Sequence, residues 1–187
     1  MSTAGTDVRR GPEQGGDREA FMERLRAFVG RPARPPWEAP DPVNEAMIRQ
    51  FCEVMGDASP VYNDPSIAAS SVHGGIVAPP VMQDVWVMRG FIEPADPAGR
   101  DQGQAGLLAL LAEEGFTAIV ATNADQEFLR YLRPGDWLTA HRTIEAVSEE
   151  KETALGPGHF FTVKTSYVDQ NDEEVGVQHF RMLVYRP

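Results

Sequence analysis

The chain has 187 residues, 42% of them hydrophobic, with 17 basic against 28 acidic side chains and a formal charge of −11. That length and apolar share fit one domain with a real core, and the acidity argues against a nucleic-acid partner, which needs a basic face. No apolar run, Gly106–Ala112 among the longest, comes near bilayer length, and no Lys/Arg cluster marks a membrane surface, so no membrane role is expected. The opening MSTAGTDVRRGPEQGGD has no hydrophobic segment and does not read as a secretory signal. Cys52 stands alone, which excludes an internal disulfide and a cysteine-based metal site and makes the cytoplasm the expected setting.

Residues 1–16 are rich in Gly, lack apolar periodicity and read as a disordered tail; residues 17–187 read as a single domain. Asp17 is placed to cap a helix through Phe21, Leu25 and Phe28 that stops at Gly30. Five prolines between Pro32 and Pro42 then predict an extended connector lying on the surface, anchored by Trp37. A helix follows from Asn44 to Met55, with Met47, Ile48, Phe51 and Cys52 on one face and Gly56 as its stop. The loop GDASPVYNDPS leads to a short helical piece at Ile67–Ser70. HGGIVAPP then opens a segment, Pro80–Ile92, whose apolar residues fall on most sides and predict a wrapped central helix. Pro94–Gly103 reads as a loop and Gly106–Glu114 as another short helix.

From residue 117 the period becomes two. Strands are predicted at Thr117–Thr122, Gln126–Leu132, Trp137–Val147, His159–Val168 and Glu174–Tyr185, with turns at Arg133–Asp136 and Asp169–Asp172 joining some of them into hairpins. Helices first and a long antiparallel sheet after them make the fold class α+β, with the sheet curved around the central helix. His141, His159 and His179 share no ligand spacing, so no metal is expected. Met82, Trp86 and Met88 read as core rather than a cofactor box.

Two tracts carry chemistry: Gly56-Asp57-Ala58-Ser59-Pro60-Val61-Tyr62-Asn63-Asp64-Pro65, and His73-Gly74-Gly75-Ile76-Val77-Ala78-Pro79-Pro80-Val81. In this order and spacing they resemble the MaoC-like branch of the hot-dog fold, which includes R-specific enoyl-CoA hydratases and fatty-acid-synthase-type dehydratases. The resemblance covers about residues 40 to 187. It implies a hot-dog sheet around a central helix. An Asp and a His of the loop would handle water and the proton, and a backbone N–H at the helix start would hold the thioester oxygen. Hydration of an enoyl thioester needs a base, an acid and donors aimed at the developing enolate.

The sequence departs from that pattern twice. Asp57 stands at the family's Asp position, but Tyr62 stands at its His position, and an unperturbed phenol is no base at neutral pH. Pro79 falls at the donor position and has no N–H. Taken alone, Asp57 is also read as a turn cap and Tyr62 as a packed aromatic. The pattern resembles the non-catalytic half of the paired hydratases that act on steroid side chains in actinobacteria, a likeness carried further by NADQEFLRYLRPGDWL and GPGHFFTVKTSYV. The resemblance implies a heteromeric 2-enoyl-CoA hydratase for a bulky acyl-CoA, in which this chain walls the acyl tunnel and a catalytic MaoC-like subunit brings the Asp/His dyad.

On this reading His73, Val77, Ala78, Pro79, Met82 and Trp86 bind substrate, Arg130 and Arg133 hold the CoA, and no cofactor is needed because CoA is part of the substrate. The stretches Thr117–Thr122 and Gln126–Leu132 form the seam between subunits. A zinc-ribbon/OB-fold domain, fused or associated, is a further expected partner, and the end at Pro187 just after the last strand is read as compatible with a domain of a longer protein. The alternatives are a homodimeric hydratase or dehydratase using Asp57, a non-enzymatic acyl-CoA-binding or scaffold protein, and a hot-dog thioesterase that would lean on Asp84.

Overall fold

The computed structural model describes residues 12–88 and 103–187. Its elements are α1 (Pro12–Arg26), β1 (Pro32–Glu38), α2 (Glu45–Met55), α3 (Pro60–Asn63), α4 (Pro65–Ser70), α5 (Gly103–Glu113), β2 (Ala118–Phe128), β3 (Thr139–Val147), β4 (Gly158–Val168) and β5 (Glu174–Tyr185). The strands form one antiparallel sheet in the order β1-β3-β4-β5-β2. The α+β class stands: most helices precede the strands, and one five-stranded antiparallel sheet carries the covered face.

Local chemistry accounts for α2. The Asn44 side chain accepts from the Met47 amide at 2.9 Å, and Gly56, at φ 68°, closes the far end. Ile48 and Cys52 turn inward and are buried.

Several expectations are corrected. The first helix starts at Pro12, so Asp17 lies inside it rather than at its cap, and residues 12–16 of the expected tail are helical; residues 1–11 lie outside the described part. The proline-rich connector is extended, as expected, but it pairs with β3 as an edge strand. Prolines are tolerated there because an edge need not donate on both sides, and the pairing is irregular on either side of Arg34. The predicted strands at 117–122 and 126–132 are one strand, β2, which bends between Ala121 and Asn123. Arg133–Asp136 joins no hairpin, since β2 pairs with β5; Asp169–Asp172 does, with Asp172 at φ 61°.

The largest difference is the central helix. Over its described part it is two 3-10 turns, Pro80–Met82 and Val85–Val87, and Met88 is already extended. Arg89–Ile92 and nearly all of the predicted loop Pro94–Gly103 lie outside the described residues. Residues that are apolar on most sides fit a tight helix as well as an α-helix, so periodicity did not separate them. The segment lies very close to the sheet. A Cβ at Gly176 would collide with the Gln83 side chain and stand 2.8 Å from the Glu127 carbonyl, so glycine is required there.

Alternation along β4 turns Phe161, Val163, Thr165 and Tyr167 to the covered face. Two apolar cores sit on it. At one end Tyr167, Leu138 and Ala140 pack with Ile48, Met82 and Trp86; at the other Phe161, Met182 and Ile144 pack with Leu25, Leu107 and Leu111. Each such large side chain contributes about 1.5–3 kcal/mol. By contrast β2 is exposed along nearly its whole length, Ile119, Val120 and Phe128 included, and only one of its edges is paired within the chain.

His159 lies in the second core, 1% exposed, with edge-on contacts to the rings of Phe116 and Phe21. Its Nδ1 donates to the Ser148 carbonyl at 2.9 Å, so any further proton must go to the buried Nε2, and burial holds the imidazole below its ordinary value. The unfolded chain takes up that proton below pH about 6.5 while the folded chain resists it. Stability is therefore complete above that pH and falls as the pH drops toward the lowered folded value, by up to about 1.4 kcal/mol per pH unit. His159→Leu is expected to flatten this slope in urea titrations between pH 5 and 7, and an unchanged slope would refute the assignment.

Candidate functional site

The first tract hangs from the end of α2. The Asp57 amide donates back to the Cys52 carbonyl at 2.9 Å, and its Oδ1 accepts from the Ser59 amide at 3.0 Å, an Asx turn. Asp64 ends the loop as the cap of α4, accepting from the amides of Ser66 and Ile67 and from the Ser66 hydroxyl, which holds its carboxyl below the usual range. Tyr62 lies between them in α3, half-buried against the first core. Burial pushes its phenol upward, and Tyr131, Asp57 and Cys52 act in the same direction. It is a hydrogen-bond donor at neutral pH and not a base.

The His73 ring packs at a tilt against Tyr131, with ring centroids 4.4 Å apart and planes 58° from parallel. Tyr62 thus lies near both Asp57 and Tyr131, and Tyr131, which also meets His73, is a residue the sequence alone did not single out although it lies inside the NADQEFLRYLRPGDWL tract. Asp57 also borders a shallow cavity of about 410 Å³ with Arg49, Cys52 and Asn63. Burial raises the Cys52 thiol there, against an opposing hydrogen bond from Asn63.

The second tract is closed. The Ala78 amide is spent on the Leu132 carbonyl at 2.8 Å, and Pro79 and Pro80 have no N–H. Val77, Ala78, Pro79, Met82 and Trp86 are buried, and none lines either cavity described here; His73 is the partly open member of the expected substrate-binding set. In the folded chain they act as core, because the tight turns press this segment onto the sheet.

A second cavity, about 360 Å³, opens further along the same segment. Asp84, Val87 and Met88 form one wall, the sheet residues Val163, Phe180 and Met182 another, and Arg34 and Arg142 a side. The Tyr167 hydroxyl donates to Asp84 Oδ1 at 2.9 Å, and Arg142 Nη2 stands 3.7 Å from the same oxygen. Burial, followed by the charge of Asp84, drives the Tyr167 phenol far up.

Arg130 departs from its expected CoA role. Its guanidinium donates to Asp136 Oδ2 and Asp169 Oδ2, each at 2.7 Å, and to the Tyr131 carbonyl at 3.1 Å. Burial disfavours the Asp169 charge, but the Asn171 amide, Arg130 and the Glu173 amide together hold that carboxyl below its ordinary value. The network ties the end of β2 to two turns. Arg133 is exposed; its backbone amide donates to the Asp136 carboxylate at 2.8 Å and its carbonyl accepts from the Asp136 amide at 3.0 Å, while among the described residues its guanidinium has no hydrogen-bond or ion-pair partner. Arg130→Ala would strand the buried Asp169 carboxylate and is expected to cost about 2–3 kcal/mol, below the figure for a fully buried pair because the arginine is partly solvated. A denaturation midpoint equal to that of the parent chain would refute this.

The chain matches the FAS1-like, dehydratase domain region over residues 27–178. The chain belongs to the FAS1-like dehydratase family. It is 43% identical over 169 residues to a Thermomonospora curvata protein named "Probable enoyl-CoA hydratase alpha subunit", covering 90% of this chain and 53% of that one. It is 37% identical to the 3-oxo-4,17-pregnadiene-20-carboxyl-CoA hydratase alpha subunit of Mycobacterium tuberculosis, covering 80% and 47%. Among solved structures, the ChsH1-ChsH2 complex of Mycobacterium tuberculosis superposes with a TM-score of 0.77 at 34% identity over 92% of this chain and 93% of that one. The chain spans about half the length of the curated relatives it matches. Among the described residues no helix is long and apolar enough to cross a membrane, and no group of three or more His, Cys, Asp or Glu is placed to hold a metal ion.

Proposed function

We propose that this chain is the acyl-binding, non-catalytic half of a heteromeric 2-enoyl-CoA hydratase for bulky acyl-CoA substrates such as steroid side-chain thioesters. A catalytic MaoC-like hot-dog subunit supplies the Asp/His dyad, CoA enters as part of the substrate with no cofactor, and the reaction runs in the cytoplasm. The carrying observation is the incomplete site: a raised phenol where a base is needed, and no free N–H at residues 78–80. The names of the relatives, two alpha subunits and a two-component complex, support the same reading. The exposed strand β2 suits a sheet partner, and a zinc-ribbon/OB-fold domain, fused or associated, completes the proposal.

Arg133 is the remaining candidate for the CoA phosphates, while Arg130 serves the loop network. One observation favours a second reading: Asp57 borders a cavity, which suits a homodimeric hydratase that uses this carboxylate. Hydration of a 2-enoyl-CoA is to be measured for the chain, for a candidate MaoC-like partner and for the mixture. Turnover by the mixture well above the sum of its parts supports the heteromeric reading. Full turnover by the chain alone overturns it in favour of the homodimer.

A further inference from the structure

The alternation of the sheet shows what closes one end of the 360 Å³ cavity. Val163 and Thr165 of β4 line it, with Met182, Phe180 and Gln178 of β5, every second residue along each strand. The next pair on that face, about 7 Å further along, is Tyr167 opposite Gly176. Tyr167 fills its side of the row, whereas Gly176 leaves a gap, and the Gln83 side chain occupies that gap from the segment above. Asp84 and Val87 of the same segment line the cavity. Gln83 therefore stands where the cavity would otherwise run on along β5, toward the row of Phe128 in β2.

Glutamine is a poor residue for permanent filling. Gln83 is 2% exposed and its Nε2 has no hydrogen-bond partner, so the carboxamide bears the desolvation cost of an orphaned donor. A methionine would fill a similar space without that cost. Trp86, three residues on, likewise keeps a buried, unpartnered indole N–H. Among the described residues, the one side-chain hydrogen bond tying Pro80–Met88 to the sheet runs from the Tyr167 hydroxyl to Asp84. Gln83 also lies at the joint between the 3-10 turns Pro80–Met82 and Val85–Val87. An unpaired amide donor at such a joint leaves its gap without losing a hydrogen bond, and it gains water when it does.

We infer that Gln83 is a displaceable stopper that sets the depth of the cavity and so sorts acyl groups by length. Short acyl groups fit with Gln83 over Gly176; longer ones bind only when it swings away. The inference rests on the proposed acyl-binding role and deepens it.

A ruler of saturated straight-chain thioesters, from butanoyl-CoA to dodecanoyl-CoA, tests this by calorimetry on the full chain, with free CoA as the control. These thioesters carry no double bond to hydrate. In the parent chain, affinity should rise with length and level off where the tail meets Gln83. Gln83→Ala should move that plateau to longer chains. Gln83→Met should raise the melting temperature of the ligand-free chain and weaken the long thioesters roughly tenfold, while sparing butanoyl-CoA. Both effects have one origin: relief of the orphaned donor favours the filled gap over the unfolded chain and equally over the open gap. A purely structural glutamine would instead lose stability in both variants and leave the length profile where it was. A lower melting temperature for Gln83→Met, or a length profile that neither substitution moves, overturns the inference. Such a result leaves the heteromeric reading standing if the mixture still hydrates enoyl-CoA. Failure of every thioester to bind overturns the stopper and the acyl-binding role together. A plateau that moves as expected, without hydration by any mixture, keeps the stopper and sinks the hydratase reading.

Discussion

Purified alone, the chain is expected to hydrate 2-enoyl-CoA substrates roughly 10⁴-fold or more below its rate in the assembled complex. A missing general base costs about 10²–10⁴ and a missing oxyanion donor about 10²–10³, and both are missing here for separate reasons. Tyr62 cannot accept a proton at neutral pH because burial and its neighbours hold the phenol protonated. The turn at 78–80 cannot donate because one amide already serves Leu132 and the other two residues are prolines. Asp57 separates this from the homodimeric reading. Its Oδ1 is engaged in the loop turn, so in the complex Asp57→Asn, which keeps an acceptor for Ser59, should leave turnover within about twofold, far below the loss of a general base. Abolished turnover with the fold intact by circular dichroism would assign the chemistry to this chain. His73, packed against Tyr131, would then be the group to test as its partner.

What could be read from the sequence was mainly local. The limits of α2 follow from Asn44 and Gly56, and three of the five strands follow from alternation and turn residues, because those signals act over a few neighbours. β1 escaped because five prolines in eleven residues argue against a strand everywhere except at an edge, and being an edge is a property of the sheet. β2 was split because its polar middle, Thr122–Asp125, imitates a turn, whereas a strand exposed on both faces accepts such residues.

The site divides the same way. Tyr62 and Pro79 could be judged from residue type alone, since a phenol and an imino acid lack the needed groups in any fold. Arg130 could not, because its acidic partners lie 6 and 39 residues away and only folding brings them together. Ala78 shows the converse: it was expected on a tunnel wall, but it is 1% exposed in the core, so enlarging it would overpack the fold and not filter acyl groups by size.

Replacing Ile119 and Val120 together by Asp should leave the chain folded and abolish its assembly with a hot-dog partner. Both side chains are already exposed in the isolated chain, at 50% and 38%, so the folded monomer loses little packing. In an assembled sheet they would meet the partner instead. Adjacent residues of a strand point to opposite faces, so the pair places a carboxylate on each side of the seam. Charges along an edge are how proteins prevent such pairing, and an unpaired carboxylate buried at an interface costs several kcal/mol, or more than about 100-fold in Kd. Sedimentation of the mixture should show two separate species where the parent chain gives one complex, with the circular dichroism of the variant unchanged. The paired edge of β2 stays occupied by β5 in either case, which ties any loss to the free edge. Undiminished assembly would mean that the subunits meet elsewhere and that β2 is exposed for another purpose.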